Sequence, residues 1–228
     1  MDMDATNGTV QPPDLRAVGE VLRPAFLLWI VYQCAWGGYY LAMSYAVNLA
    51  HYEVIWPCAY LLVTIGIGIV IARFALRDRA ACRIFARANR GRLELCLLVG
   101  IVGAMVLAKW ESGIHGSWSS PGFFEHERGW PLLVCLVTGA VLPAVFEELM
   151  FRGVILHRLQ QVMVGPMAIA TQAMLFSTMH LDGVYLIPHF AFGCLAGFLR
   201  TVAGALWPCM LLHGLWNGWI TLAQYGWL

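Results

Sequence analysis

The sequence predicts an all-α fold, a polytopic transmembrane helix bundle of about seven spans, and three observations carry that prediction. Sixty per cent of the 228 residues are apolar and 12% are charged, with a mean hydropathy of +0.69. A soluble domain carries roughly twice that share of charge. Several apolar runs approach or exceed the roughly 20 residues that a helix needs to cross a hydrocarbon core of about 30 Å. Alternating strand patterns are absent, so helices rather than a membrane β-barrel are the expected spanning elements.

The apolar runs lie near 25–50, 54–76, 93–109, 131–151, 166–181, 184–201 and 205–227. The fifth and sixth are close to the lower limit for a span, so one of them is expected to be broken or re-entrant. The chain divides into a polar N-terminal tail, 1–24, and a single transmembrane domain, 25–228, whose chemistry-bearing core falls at about 131–220. The tail carries Asp2, Asp4 and Asp14 in place of a basic leader, so no cleavable signal is expected.

Charge sets the orientation. Arg73, Arg77, Arg79, Arg83, Arg87, Arg90 and Arg92 are seven of the 14 basic residues, with Asp78 alone against them. Between two apolar spans such a run reports the inner side of a membrane rather than a nucleic-acid site. The chain is therefore expected to be a multi-pass cell-membrane protein with a cytoplasmic N-terminus. The segment from Glu111 to Trp130, bracketed by Trp110, Trp118 and Trp130, falls outside. Cys34, Cys58, Cys82, Cys96, Cys135, Cys194 and Cys209 form no CxxC pair and read as small buried hydrophobes.

An ionisable group inside an apolar helix is expensive and is a functional candidate by default. Glu148 and Arg152, four apart, share one helical face and can pair. Glu147 points about 100° away and must find its partner on another helix, in water or on a metal. Phe176 and His180 are also four apart, as are His213 and Asn217 in the last run. If the chain turns near Gly165 and Pro166, a rise of 1.5 Å per residue puts Glu147 about 27 Å and His180 about 22 Å from the turn, at similar depth on antiparallel helices. His189, beside Pro188, has no pairing residue at helical spacing and is read as packing.

Glu147-Glu148-Leu149-Met150-Phe151-Arg152 fits EExxxR, Phe176-Ser177-Thr178-Met179-His180 fits FxxxH, and His213-Gly214-Leu215-Trp216-Asn217 fits HxxxN. In this order the three resemble the motifs of the CPBP family, the intramembrane CAAX prenyl endopeptidases and bacteriocin-processing or self-immunity proteins. The resemblance implies an intramembrane endopeptidase that cleaves a membrane-associated peptide or protein with a glutamate-activated water. Glu147 would be the general base, His180 would hold the water, His213 and Asn217 would stabilise the oxyanion, and Glu148 with Arg152 would orient the site. Partners are then the lipid bilayer and the peptide substrate, with no nucleic acid.

Zinc is left open as a cofactor. Glu147, His180 and His213 are acceptable zinc ligands, but their spacing is not HExxH, and a metal-free water explains the same groups and is slightly favoured. Two other classes share these features: a non-catalytic binding or immunity protein on the same scaffold, and a proton-coupled transporter.

Overall fold

A computed structural model describes residues 15–46, 52–77, 90–118, 132–180 and 185–224. Most of the Arg-rich loop and of the expected outer segment lies outside these residues. The described residues form seven helical rods and no strand: α1 (Leu15–Ala46), α2 (Tyr52–Arg77), α3 (Arg90–Trp118), α4 (Leu132–Leu159), α5 (Gly165–Ser177), α6 (Leu186–Ala203) and α7 (Trp207–Gln224). Cys58–Arg77, Leu132–Leu159 and Leu186–Ala203 are long and apolar enough to cross a membrane. Polar residues inside the other rods, such as Gln33 in α1 and His213 and Asn217 in α7, dilute their hydropathy.

The apolar residues divide between two surroundings. Leu28, Ile71, Phe151, Phe176, Phe192 and Leu212 are among those that form the buried core. Leu62 and Ile69 on α2, and Val102 and Val106 on α3, point away from the bundle. On a soluble protein such faces would aggregate, and in a bilayer they meet lipid tails. The expectation that the cysteines are buried fails for Cys34 and Cys58, which are exposed, whereas Cys135 and Cys209 are buried. Lipid solvates a thiol on an outward face as well as a core does.

Helix α4 is not a uniform α-helix. Its turns widen to π geometry over Leu136–Val141 and again over Leu149–Ile155, and the Leu142 N–H reaches back five residues to the Val137 carbonyl. Pro143 accounts for the first widening, because it lacks an N–H and its ring would strike the carbonyl four residues back in a regular helix. The two glutamates stand on the regular turns between the widened ones.

The break expected in the fifth or sixth run is not seen among the described residues, where the fifth is helical from Gly165 to His180 and only its last turn tightens. Helix α5 tightens after Ser177 into a single 3₁₀ turn, Thr178–His180. The Ser177 and Thr178 hydroxyls donate to the Met174 and Leu175 carbonyls, 3.0 and 3.1 Å away, and so compete with the backbone ladder. Helices α5 and α6 then meet at small residues: a Cβ on Gly193 would lie 2.8 Å from Ala173 Cα. Gly204, at φ 65°, closes α6 in the left-handed conformation, and its N–H donates to the Arg200 carbonyl.

Candidate active site

Phe176 is where the three sequence motifs meet. Its ring lies edge-on to Phe151 at 5.2 Å, to His180 at 5.3 Å and to His213 at 5.8 Å, and the Arg152 guanidinium sits 4.5 Å from its centroid. A buried guanidinium over an aromatic face gains a cation–π attraction where water is absent. The ring of Phe192, from α6, lies 5.6 Å from the same guanidinium.

The Glu148–Arg152 pair forms as its spacing predicts. Arg152 Nη1 donates to Glu148 Oε1 at 2.7 Å, and neither side chain is exposed. The same carboxylate oxygen lies 2.8 Å from Nδ1 of His213 on α7. Holding Nδ1 against a carboxylate fixes a proton there and sets the ring's orientation. His213 therefore ties α7 to α4, and its other nitrogen, Nε2, lies 3.8 Å from Glu147 Oε2. That gap is too long for a direct hydrogen bond.

Glu147 has the partner on another helix that its rotation required. The Tyr32 hydroxyl of α1 donates to Glu147 Oε1 at 2.9 Å, and both residues are buried. The carboxylate is thus held between α1 and α7, next to the ion pair and apart from it.

The remaining residues divide. His180, half-buried at the end of α5, has Nδ1 3.3 Å from the Phe176 carbonyl, so this contact leaves Nε2 as an acceptor. Asn217 is half-buried one turn beyond His213 on α7. His189 packs, as read from sequence, and its packing partner is a site residue. Its ring lies against that of His180, 3.5 Å between centroids, and its Nδ1 donates to the Tyr185 carbonyl at 2.8 Å. Tyr32 and His189 stand outside every motif, and helical spacing alone does not reveal either.

Among the described residues no group of three His, Cys, Asp or Glu side chains is arranged to hold a metal ion.

Residues 129–219 match the family described as "Type II CAAX prenyl endopeptidase Rce1-like", a span of about two fifths of the chain that takes in all three motifs. Searches of curated proteins and of solved structures find no match. The helices α4 to α7, with the Glu148–Arg152 pair and the histidines gathered on Phe176, are the part of the molecule that this family match covers. Over residues 129–219 the chain is similar to the Rce1-like type II CAAX prenyl endopeptidases.

Proposed function

We propose that this protein is an intramembrane endopeptidase that hydrolyses a peptide bond of a membrane-associated peptide or protein with a water activated by Glu147. The observation that carries the reading is the Glu147 carboxylate itself, buried within a protease-family domain and held 2.9 Å from a tyrosine hydroxyl and 3.8 Å from a histidine nitrogen. A structural carboxylate would be expected to pair with a cation, as Glu148 does. Glu147 instead keeps the neutral company that suits a base.

In this reading the water oxygen bonds to the carbonyl carbon while its proton passes to Glu147, and the carbonyl electrons move onto oxygen. His213 and Asn217, on one face of α7, stabilise that oxyanion, and His180 steadies the water through its free Nε2. Collapse re-forms the carbonyl and breaks the C–N bond, and the nitrogen leaves with the proton from Glu147. Glu148 and Arg152 orient His213 and do not touch the reacting atoms. Every step runs on side chains of this chain.

The test is cleavage of a membrane-associated peptide by purified protein. Glu147→Gln, nearly isosteric, should lower turnover by a factor of about 10² to 10⁴ while leaving folding and peptide binding intact. Near-normal cleavage by that variant would remove the assignment.

A further inference from the structure

Three side chains of α1 reach into the part of the molecule that the family match covers, although α1 itself lies outside it. Trp29 Nε1 donates to the Leu175 carbonyl at 3.1 Å, the Tyr32 hydroxyl donates to Glu147 Oε1 at 2.9 Å, and Gln33 Nε2 lies 3.5 Å from the Thr178 carbonyl. Trp29 is followed by the other two at spacings of three and four, so all three share one helical face. We infer that Tyr32 is a positioning residue of the hydrolytic site: its hydroxyl occupies Oε1 of Glu147 and so leaves Oε2, the oxygen facing His213, to take the proton. The inference rests on Glu147 being the base.

A buried tyrosine hydroxyl usually finds some partner, so the bond alone decides little. Its effect on this carboxylate decides more. The terminal torsion of a glutamate is broad, and a carboxylate without a partner turns and exchanges its two oxygens. A hydroxyl carries one proton, and that of Tyr32 goes to Oε1. Oε2 is then held toward His213 Nε2, 3.8 Å away. His213 is fixed from behind in the same manner, because its Nδ1 lies 2.8 Å from Glu148 Oε1. Two groups therefore face each other across a gap too long for a direct bond, each held by a partner on its far side. A reacting group needs that fixity, since a misplacement of about 1 Å can cost a factor of about 10² in rate.

The rest of the α1 face holds the tyrosine in place. The Trp29 and Gln33 contacts both fall on the last turns of α5 and set the depth of α1 against the motif-bearing helices. Tyr32 is buried, and its ring lies 6.2 Å from that of Trp36 one turn on, so a packed side chain delivers the hydroxyl.

The test removes the hydroxyl alone. Wild type, Tyr32→Phe, Tyr45→Phe and Glu147→Gln are compared for kcat and KM on a membrane-associated peptide, at a temperature where every variant is folded. Tyr32→Phe should lower kcat by at least about tenfold with KM unchanged. Tyr45→Phe, the same change on the outward side of α1, should keep wild-type turnover. In infrared spectra the Glu147 carboxyl band, identified as the one that Glu147→Gln lacks, should move in Tyr32→Phe. If Tyr32→Phe does not fold, Tyr32→Met, which fills the space flexibly and carries no donor, takes its place in both measurements.

Full kcat in Tyr32→Phe would overturn the assignment. So would a change confined to KM, which would make Tyr32 a substrate contact, or an unmoved carboxyl band, which would make any loss of kcat a matter of packing. With Glu147→Gln inactive, each of these results removes the role of the tyrosine alone and leaves the hydrolase reading standing. An active Glu147→Gln would remove both.

Discussion

Glu147 and Glu148 are neighbours in the chain with different partners, because one helical step turns a side chain by about 100°. Glu148 faces Arg152 and His213, and Glu147 faces Tyr32. Glu148→Gln should therefore cost stability, about 3 to 5 kcal/mol if the guanidinium is left fully desolvated, and Arg152→Gln should resemble it. Melting temperatures of the purified variants in detergent check this, and an unshifted Glu148→Gln would show the pair to be dispensable. The pair was legible in sequence because four residues close one helical turn. Tyr32 was not, since it lies 115 residues from its partner on a helix that no motif marks. His189 packs as read, but its stacking partner was not legible, since spacing along one helix says nothing of the ring that a neighbouring helix lays against it.

At the scale of the elements, the sequence showed seven apolar runs, and each falls within or largely overlaps one of the seven rods. It did not show how the turns vary. Pro143 foretells a disturbance in α4 but not its form, and the hydroxyls of Ser177 and Thr178 end α5 early by a local competition that hydropathy does not register. The close approach of α5 and α6 gives a sharper expectation. At Gly193 a Cβ would meet the Ala173 backbone at 2.8 Å, and backbone cannot swing aside, whereas at Gly214 it would meet only Ala144 Cβ at an ordinary 3.7 Å. Gly193→Ala should destabilise by about 1 to 3 kcal/mol and Gly214→Ala by less. Equal melting temperatures for the two would mean that the helices separate easily and that the hairpin does not fix the depth of His180.

For the whole molecule, the arginine asymmetry predicts that the N-terminus and the loop from Arg73 to Arg92 face the cytoplasm and that Glu111 to Trp130 faces the other side. A membrane-impermeant thiol reagent applied from outside should label a cysteine introduced at Ser119 and spare one at Asn89; the opposite pattern would invert the orientation. Arg152 is buried beside Glu148 and α4 continues past it to Arg158 and Leu159, so the expectation that the site opens toward the cytoplasm rests on the arginine asymmetry alone. The central claim concerns water, and the most direct measurement follows its oxygen. Purified protein should cleave a membrane-associated peptide in ¹⁸O-labelled water so that the new C-terminal carboxylate carries one labelled oxygen by mass spectrometry, and Glu147→Gln should yield no such product. Unlabelled product, or labelled product formed by Glu147→Gln at the wild-type rate, would contradict the account.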